Sequence, residues 1–239
     1  MAAVKPAVIL FDVNKTLLDM TPLKKKINSL LGSSKGFKIW FGMLLQYSLV
    51  DNCTNSYHDF TTIADATLVM AANGFKKSIT ASQKKDALST IKKLSAYPDV
   101  ATALQTLKAN GFRLATLTNS PAATLKAQLK YAGLTKYFDA NLSVDTIGKY
   151  KPALETYQWA AKQLSIDTAQ VMLVAAHGWD IAGALQAGMQ AAFIQRKGQS
   201  LYPLAPRPQI EGENLGEVVQ KITTQNLNQH LASPNVCLS

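Results

Sequence analysis

Ala7-Val8-Ile9-Leu10-Phe11-Asp12-Val13-Asn14-Lys15-Thr16-Leu17-Leu18-Asp19 runs from an unbroken apolar segment into an aspartate, then into a polar turn carrying Asn14 and Thr16. A short apolar run of this kind predicts a strand buried on both faces of a parallel sheet. Such sheets bind ligands at the carboxyl ends of their strands, where Asp12 stands. Taken alone, an aspartate here would most often do no more than cap a turn. Three later segments also bring polar residues to a strand end or a helix start, and that shared placement favours a functional Asp12.

Working outward, residues 20–96 carry no convincing strand. Thr21-Pro22 predicts a helix start, with Thr21 as cap and Pro22 in the first helical position. Phe37, Trp40, Phe41, Leu44 and Leu45 recur at helical spacing, as do Phe60, Ile63, Ala64, Leu68 and Ala71, the latter stopping near Asn73-Gly74. A further helix is expected from Ser82 to about Leu94, with Pro98 as a boundary. From Val100 helices and strands alternate. Helix 100–109 is followed by strand Arg113 to Leu117, which ends in Thr118-Asn119-Ser120-Pro121, with Ser120 expected to cap the next helix. Strands follow at Ala140 to Val144, Val171 to Ala176 and Ala191 to Ile194. Lys151-Pro152 is expected to open a helix, and His177-Gly178-Trp179-Asp180 to lead into another from Ile181 to Ala187. A last helix near Leu215 to Ile222 precedes a polar tail expected to fray.

The pattern predicts an α/β chain: a Rossmann-like parallel sheet core over 1–17 and 97–239, with an all-helical domain inserted over 18–96. Right-handed crossovers put all the strand exits on one edge, so Asp12, Thr118, Asn119, Lys151 and the His177–Asp180 turn can meet there.

At 239 residues, 47% of them hydrophobic and 17% charged, the chain is long enough to bury a full core and is not of disordered composition. No apolar stretch suits a membrane span, and the N-terminus lacks a signal-peptide pattern, so a cytoplasmic location is expected. Cys53 and Cys237 lie too far apart in sequence to suggest a metal motif or a disulfide framework. The net charge of +10 comes from lysines spread along helices without interleaved aromatics, which argues against nucleic acid. A basic surface would still draw a small anionic substrate toward a cleft.

Together these motifs resemble the haloacid dehalogenase superfamily over essentially the whole chain. They are Asp12-Val13-Asn14-Lys15-Thr16, Thr118-Asn119-Ser120, Tyr150-Lys151-Pro152 with Tyr157, and His177-Gly178-Trp179-Asp180. More narrowly, the chain looks like the L-2-haloacid dehalogenase (type II) branch and its histidine-bearing subgroup. The helical insertion with Trp40, Tyr47-Ser48 and Phe60 is similar to that branch's cap.

The resemblance implies a cofactor-free hydrolase of small 2-haloacids. Asp12 would displace halide and form an ester, and His177 would help water cleave it, with Lys151 and Asp180 also catalytic. Asn14, Lys15, Thr16, Trp40, Phe41, Phe60, Thr118, Asn119, Tyr157 and Trp179 would form the substrate site, with no metal. The chemistry of these residue types agrees: a positioned, partly desolvated carboxylate is a useful nucleophile, and histidine titrates near neutrality.

Three departures stand out. Asn14 occupies the position where phosphatases of the superfamily carry an acid, which argues against phosphoryl transfer. Phe41 stands where type II relatives have an arginine that grips the substrate carboxylate. Lys15 replaces the glutamate usual in the histidine subgroup. Its cation either takes over the carboxylate grip, or pairs with Asp12 or Asp180 and disfavours protonation of His177, the latter being preferred. A phosphatase of the same fold and a catalytically impaired relative remain the alternatives. The uncharged helix around Trp40 to Leu49 either lines the pocket or packs a homodimer.

Overall fold

The computed structural model describes residues 5–232, with side chains through residue 224. The last helix, expected to end near Ile222, runs on to Ala232, so the first part of the tail expected to fray is helical, and residues 233–239 with Cys237 fall outside that range. Strand β1 (Val8–Phe11) is buried along its whole length, as its apolar run requires. Each such side chain removed from water contributes about 2 kcal/mol. Helices α1 (Thr21–Leu31), α2 (Gly36–Thr54), α3 (Phe60–Gly74) and α4 (Ala81–Ser89) follow before any further strand. Then come α5 (Val100–Ala109), β2 (Arg113–Thr118), α6 (Ala122–Tyr131), β3 (Ala140–Ser143) and α7 (Leu154–Gln163). The chain continues with β4 (Val171–Ala175), α8 (Gly178–Gln186), β5 (Gln190–Ile194), β6 (Ile210–Gly212) and α9 (Leu215–Ala232).

Among the described residues the strands form one parallel sheet in the order β3-β2-β1-β4-β5-β6. The order reverses direction between β1 and β4, so the crevice beyond their carboxyl ends is the topological switch point. Asp12 leaves one of these strands and His177 follows the other. The expected Rossmann-like sheet with a helical insertion is present.

The inserted helices pack on one another and over this edge of the sheet. Phe37, Trp40, Phe41 and Leu44 of α2 are buried together with Phe60, Ile63, Ala64 and Leu68 of α3. The outgoing and returning chains meet as a bridge between Leu18 and Ala96, tightened by Tyr97 N donating to Leu17 O at 2.9 Å.

Local details differ from the sequence expectations. Met20, not Thr21, precedes α1 as its cap, while Asp19 Oδ1 accepts from Thr21 N. Pro121, not Ser120, is the cap of α6. Lys151-Pro152 opens no helix: α7 starts at Leu154, leaving Lys151 in the turn before it. Helix α8 begins at Gly178, earlier than expected, so Trp179 and Asp180 lie in its first turn. Strand β6 was not expected, since Ile210-Glu211-Gly212 is too short to show alternation.

Candidate active site

The turn after β1 builds the floor of the site. Asp12 stays in the sheet's register, its N–H donating to Val174 O at 3.1 Å. Lys15 then takes a left-handed backbone conformation (φ 63°) that tightens the turn. Thr16, which follows, donates its hydroxyl to Asp12 Oδ2 at 2.6 Å and accepts Ala176 N–H at 3.0 Å. One threonine thus ties the nucleophile candidate to the exit of β4.

Lys151, delivered by the turn before α7, is buried between two carboxylates. Its Nζ lies 3.0 Å from Asp12 Oδ1 and 2.6 Å from Asp180 Oδ2, and donates to Leu117 O at 3.0 Å. Asn119 Oδ1 holds the Lys151 backbone N–H at 3.0 Å. Tyr157, wholly buried, donates its hydroxyl to Asp180 Oδ1 at 2.6 Å.

Burial alone would raise the pKa of Asp12, but Lys151, His177 and the Thr16 hydroxyl outweigh it and hold the carboxyl below its usual range. Burial likewise opposes the charge on Lys151, and the two aspartates more than compensate. Asp180 is pushed up by burial and by the neighbouring Asp12, against the pull of Lys151. Both carboxylates share the lysine and each has a hydroxyl donor, and the nearby His177 adds its pull on Asp12 alone, so Asp12 is the one held ionised.

His177 leads into α8 and stacks between Trp179 (centroids 5.1 Å apart) and Phe41 of α2 (6.4 Å). Its Nε2 is 3.7 Å from Asp12 Oδ2 and 3.1 Å from Asn14 O, and its Nδ1 is 3.0 Å from Gln199 Oε1. Burial lowers its pKa, Asp12 and Asp180 pull it up, and Lys15 and Lys151 push it down, leaving it below the ordinary histidine value.

A cavity of about 280 Å³ opens over these groups, lined by Asp12, Asn14, Phe41, Phe60, Asn119 and Trp179 among others. A second, apolar cavity of about 440 Å³ adjoins it between cap and core and shares Asn14, Phe41 and Phe60 with it.

Asp12, Asn14, Phe41, Phe60, Thr118, Asn119, Lys151, His177 and Trp179 therefore gather at one cavity. Other expected substrate contacts stand elsewhere. Thr16, Tyr157 and Asp180 are fully buried behind the cavity wall, where they hold Asp12 and Lys151. Trp40 donates its indole N–H to Ala64 O at 3.0 Å and lines the apolar cavity instead.

Lys15 corrects an expectation. It makes no ion pair with Asp12 or Asp180; its ammonium sits over the rings of Phe41 (5.2 Å) and Phe37 (5.8 Å). The rings' negative faces take the place of a carboxylate partner. The sequence reading missed two polar supports. Gln128 donates to Asn14 Oδ1 at 2.9 Å, and Gln199 faces His177 from a loop without any local pattern. Among the described residues no three His, Cys, Asp or Glu side chains gather as metal ligands.

A family model for haloacid dehalogenase-like hydrolases matches residues 6–188. The chain belongs to this family of hydrolases. It is 32% identical over 199 residues to (S)-2-haloacid dehalogenase 4A of Burkholderia cepacia, covering 82% of this chain and 86% of that protein. It is 33% identical over 188 residues to (S)-2-haloacid dehalogenase 1 of Pseudomonas sp. (strain CBS-3), covering 78% and 83%. The solved structure of a dehalogenase with an intermediate complex superimposes with a TM-score of 0.84 at 29% identity, over 91% of this chain and 97% of that one.

Proposed function

We propose that this protein hydrolyses small 2-haloacids to 2-hydroxyacids, with Asp12 as nucleophile and residues 18–96 as the cap over the site. The observation that carries the reading is the state of Asp12. Its carboxylate is kept ionised by Lys151 and Thr16 at the base of a cavity walled by Phe41, Phe60 and Trp179. Little water solvates it there, and its reactivity rises accordingly.

One Asp12 oxygen attacks C2, the carbon–halogen bond breaks and halide leaves, with an ester to Asp12 as the result. Water then adds to the ester carbonyl carbon and gives a proton to His177. The carbonyl re-forms as the bond to the substrate oxygen breaks, the hydroxyacid leaves with that proton, and the water's second proton passes from Asp12 to solvent, restoring the carboxylate. Lys151 is placed to stabilise the charge that develops on the Asp12 oxygens. Asn119 and Trp179 are the candidate contacts for substrate and departing halide.

Esterification also prepares the base. The Asp12 charge, 3.7 Å away, is one of the influences that favour a proton on His177. Once that charge is lost to the ester, the His177 pKa falls further and Nε2 stays unprotonated, free to accept a proton from water.

The test is halide release from 2-chloropropionate and haloacetates without added metal, by wild type and by Asp12→Asn. Single turnover in labelled water should put the label on Asp12 first, and label appearing first in the hydroxyacid excludes the ester route.

The assembly favoured is a homodimer packed through the cap, because α2 and α3 expose Tyr47, Val50, Val69 and Met70. Light scattering tests it. No helix among the described residues is long and apolar enough to cross a membrane. With lysines scattered rather than clustered, a small anion fits the charge better than nucleic acid does.

A further inference from the structure

We infer that Gln199 is a positioning residue that sets the tautomer of His177 and so makes Nε2, the nitrogen facing Asp12, the base. The inference rests on the proposed role of His177 in ester hydrolysis. The geometry around the ring is unusual for a neutral imidazole. Nδ1 meets Gln199 Oε1 at 3.0 Å, and Nε2 meets Asn14 O at 3.1 Å with Asp12 Oδ2 at 3.7 Å. Both nitrogens face oxygen acceptors, and a neutral ring has a single N–H to give. Whichever acceptor holds that proton decides which nitrogen keeps its lone pair.

The amide of Gln199 is not free to turn over. Its Nε2 donates to Gly198 O at 2.9 Å, which leaves Oε1 toward the histidine. The loop that carries it is fastened to the site from below. Arg196 donates to Thr16 O at 3.1 Å and to Asp99 Oδ2 at 2.9 Å, and stacks over Tyr97 at 4.1 Å. Further along, the backbone at Ser200–Tyr202 lies so close to Gly178 that a Cβ there would stand 2.9 Å from Tyr202 N. The acceptor is thus built into the motif turn and the start of α8, and does not depend on a wandering side chain.

The other surroundings cannot do this task. Phe41 and Trp179 cover the ring faces and leave both nitrogens alike. The charges acting on the ring are Asp12, Asp180, Lys15 and Lys151. Without Gln199, Asn14 O and the Asp12 side would draw the proton to Nε2, the wrong nitrogen for a base. A neutral hydrogen bond shifts such a balance by about tenfold, and a partner that fixes the tautomer is how imidazoles are prepared for proton transfer.

The experiment combines 15N NMR of His177 with single-turnover kinetics in Gln199→Leu and Gln199→Glu. Above the His177 pKa the wild type should carry its proton on Nδ1, and Gln199→Leu should move it to Nε2. Ester hydrolysis should then fall about tenfold while ester formation is unchanged, so that alkylated Asp12 accumulates. Gln199→Glu should restore hydrolysis at high pH but move its acid limb upward, since a carboxylate favours the imidazolium. An Nδ1 proton that persists in Gln199→Leu overturns the inference, as does a tautomer switch with no loss of hydrolysis. The NMR result needs no turnover, so it stands apart from the proposed function. If His177→Ala hydrolyses the ester normally, the base role fails while the tautomer remains measured.

Discussion

At Lys151 a single ammonium separates two buried carboxylates, and its removal has a definite consequence. Lys151→Met would leave Asp12 and Asp180 facing each other without a cation, at a cost of about 3–5 kcal/mol in stability. The cost should shrink as pH falls, because one carboxyl can then take a proton, and thermal unfolding at pH 8 and pH 5 would show it. The pH dependence of catalysis separates in the same way. Asp12 is held below the usual carboxylate range, so ester formation should stay level as pH drops toward about 4. Ester hydrolysis should fail earlier, as His177 becomes protonated somewhere below about 6.5. Rapid-quench measurements of the two steps across pH test both halves. Lys15 pushes the His177 pKa down from its seat over Phe41 and Phe37. Lys15→Glu should therefore give a stronger base and speed ester hydrolysis at pH 9, on the order of threefold, while its acid limb moves to higher pH. A raised Michaelis constant with no gain in hydrolysis would instead make Lys15 the substrate's anchor.

Among the elements, α8 is the one whose start matters most. Its first turn holds Trp179 and Asp180, and His177 precedes it as cap, so the helix carries the proposed base, one ring that covers it and the second partner of Lys151. Gly178→Ala would drive a methyl group into the backbone of Ser200–Tyr202 and displace the Gln199 loop. Ester hydrolysis should suffer more than ester formation, and intact-protein mass spectrometry would show the modified enzyme accumulating. Helix α2 is decided differently. Its pattern from Phe37 to Leu45 announced an apolar face, but not what that face covers. In the fold Phe41 reaches His177, whereas Trp40, one position earlier, turns to Ala64 O on α3. Trp40→Phe should lower cap stability by about 1 kcal/mol and leave the Asp12 cavity's walls in place.

For the molecule as a whole, the meeting of cap and core sets what can be bound. The two cavities share Asn14, Phe41 and Phe60 as a common wall, and the apolar one extends past Met20, Leu44 and Ile91. Alkyl tails longer than a methyl group should gain there, by about fourfold in kcat/KM per methylene until the space is filled. A series from 2-bromopropionate to 2-bromohexanoate measures this, and Leu44→Trp should abolish the gain without touching the shortest acid.

The Rossmann-like sheet was legible because β1, β2 and β4 are buried on both faces, and that burial writes unbroken apolar runs into the chain. Asp12, Thr118, Asn119, Lys151 and His177 were legible as a group because a parallel sheet brings its strand exits to one edge whatever the loops between them do. The helical insertion showed itself through the 3.6-residue period of Phe37–Leu45 and Phe60–Ala71. Tertiary structure alone decided the rest. Hydrogen bonds from a distant loop leave no periodic trace, so Gln199 and Gln128 carried no signal. Side-chain direction within a tight turn depends on backbone angles rather than residue type, so the left-handed Lys15 could not be assigned to the aromatic rings it faces. Thr16, Tyr157 and Asp180 have the chemistry of substrate contacts, and only the depth of the fold makes them supports for the groups in front of them.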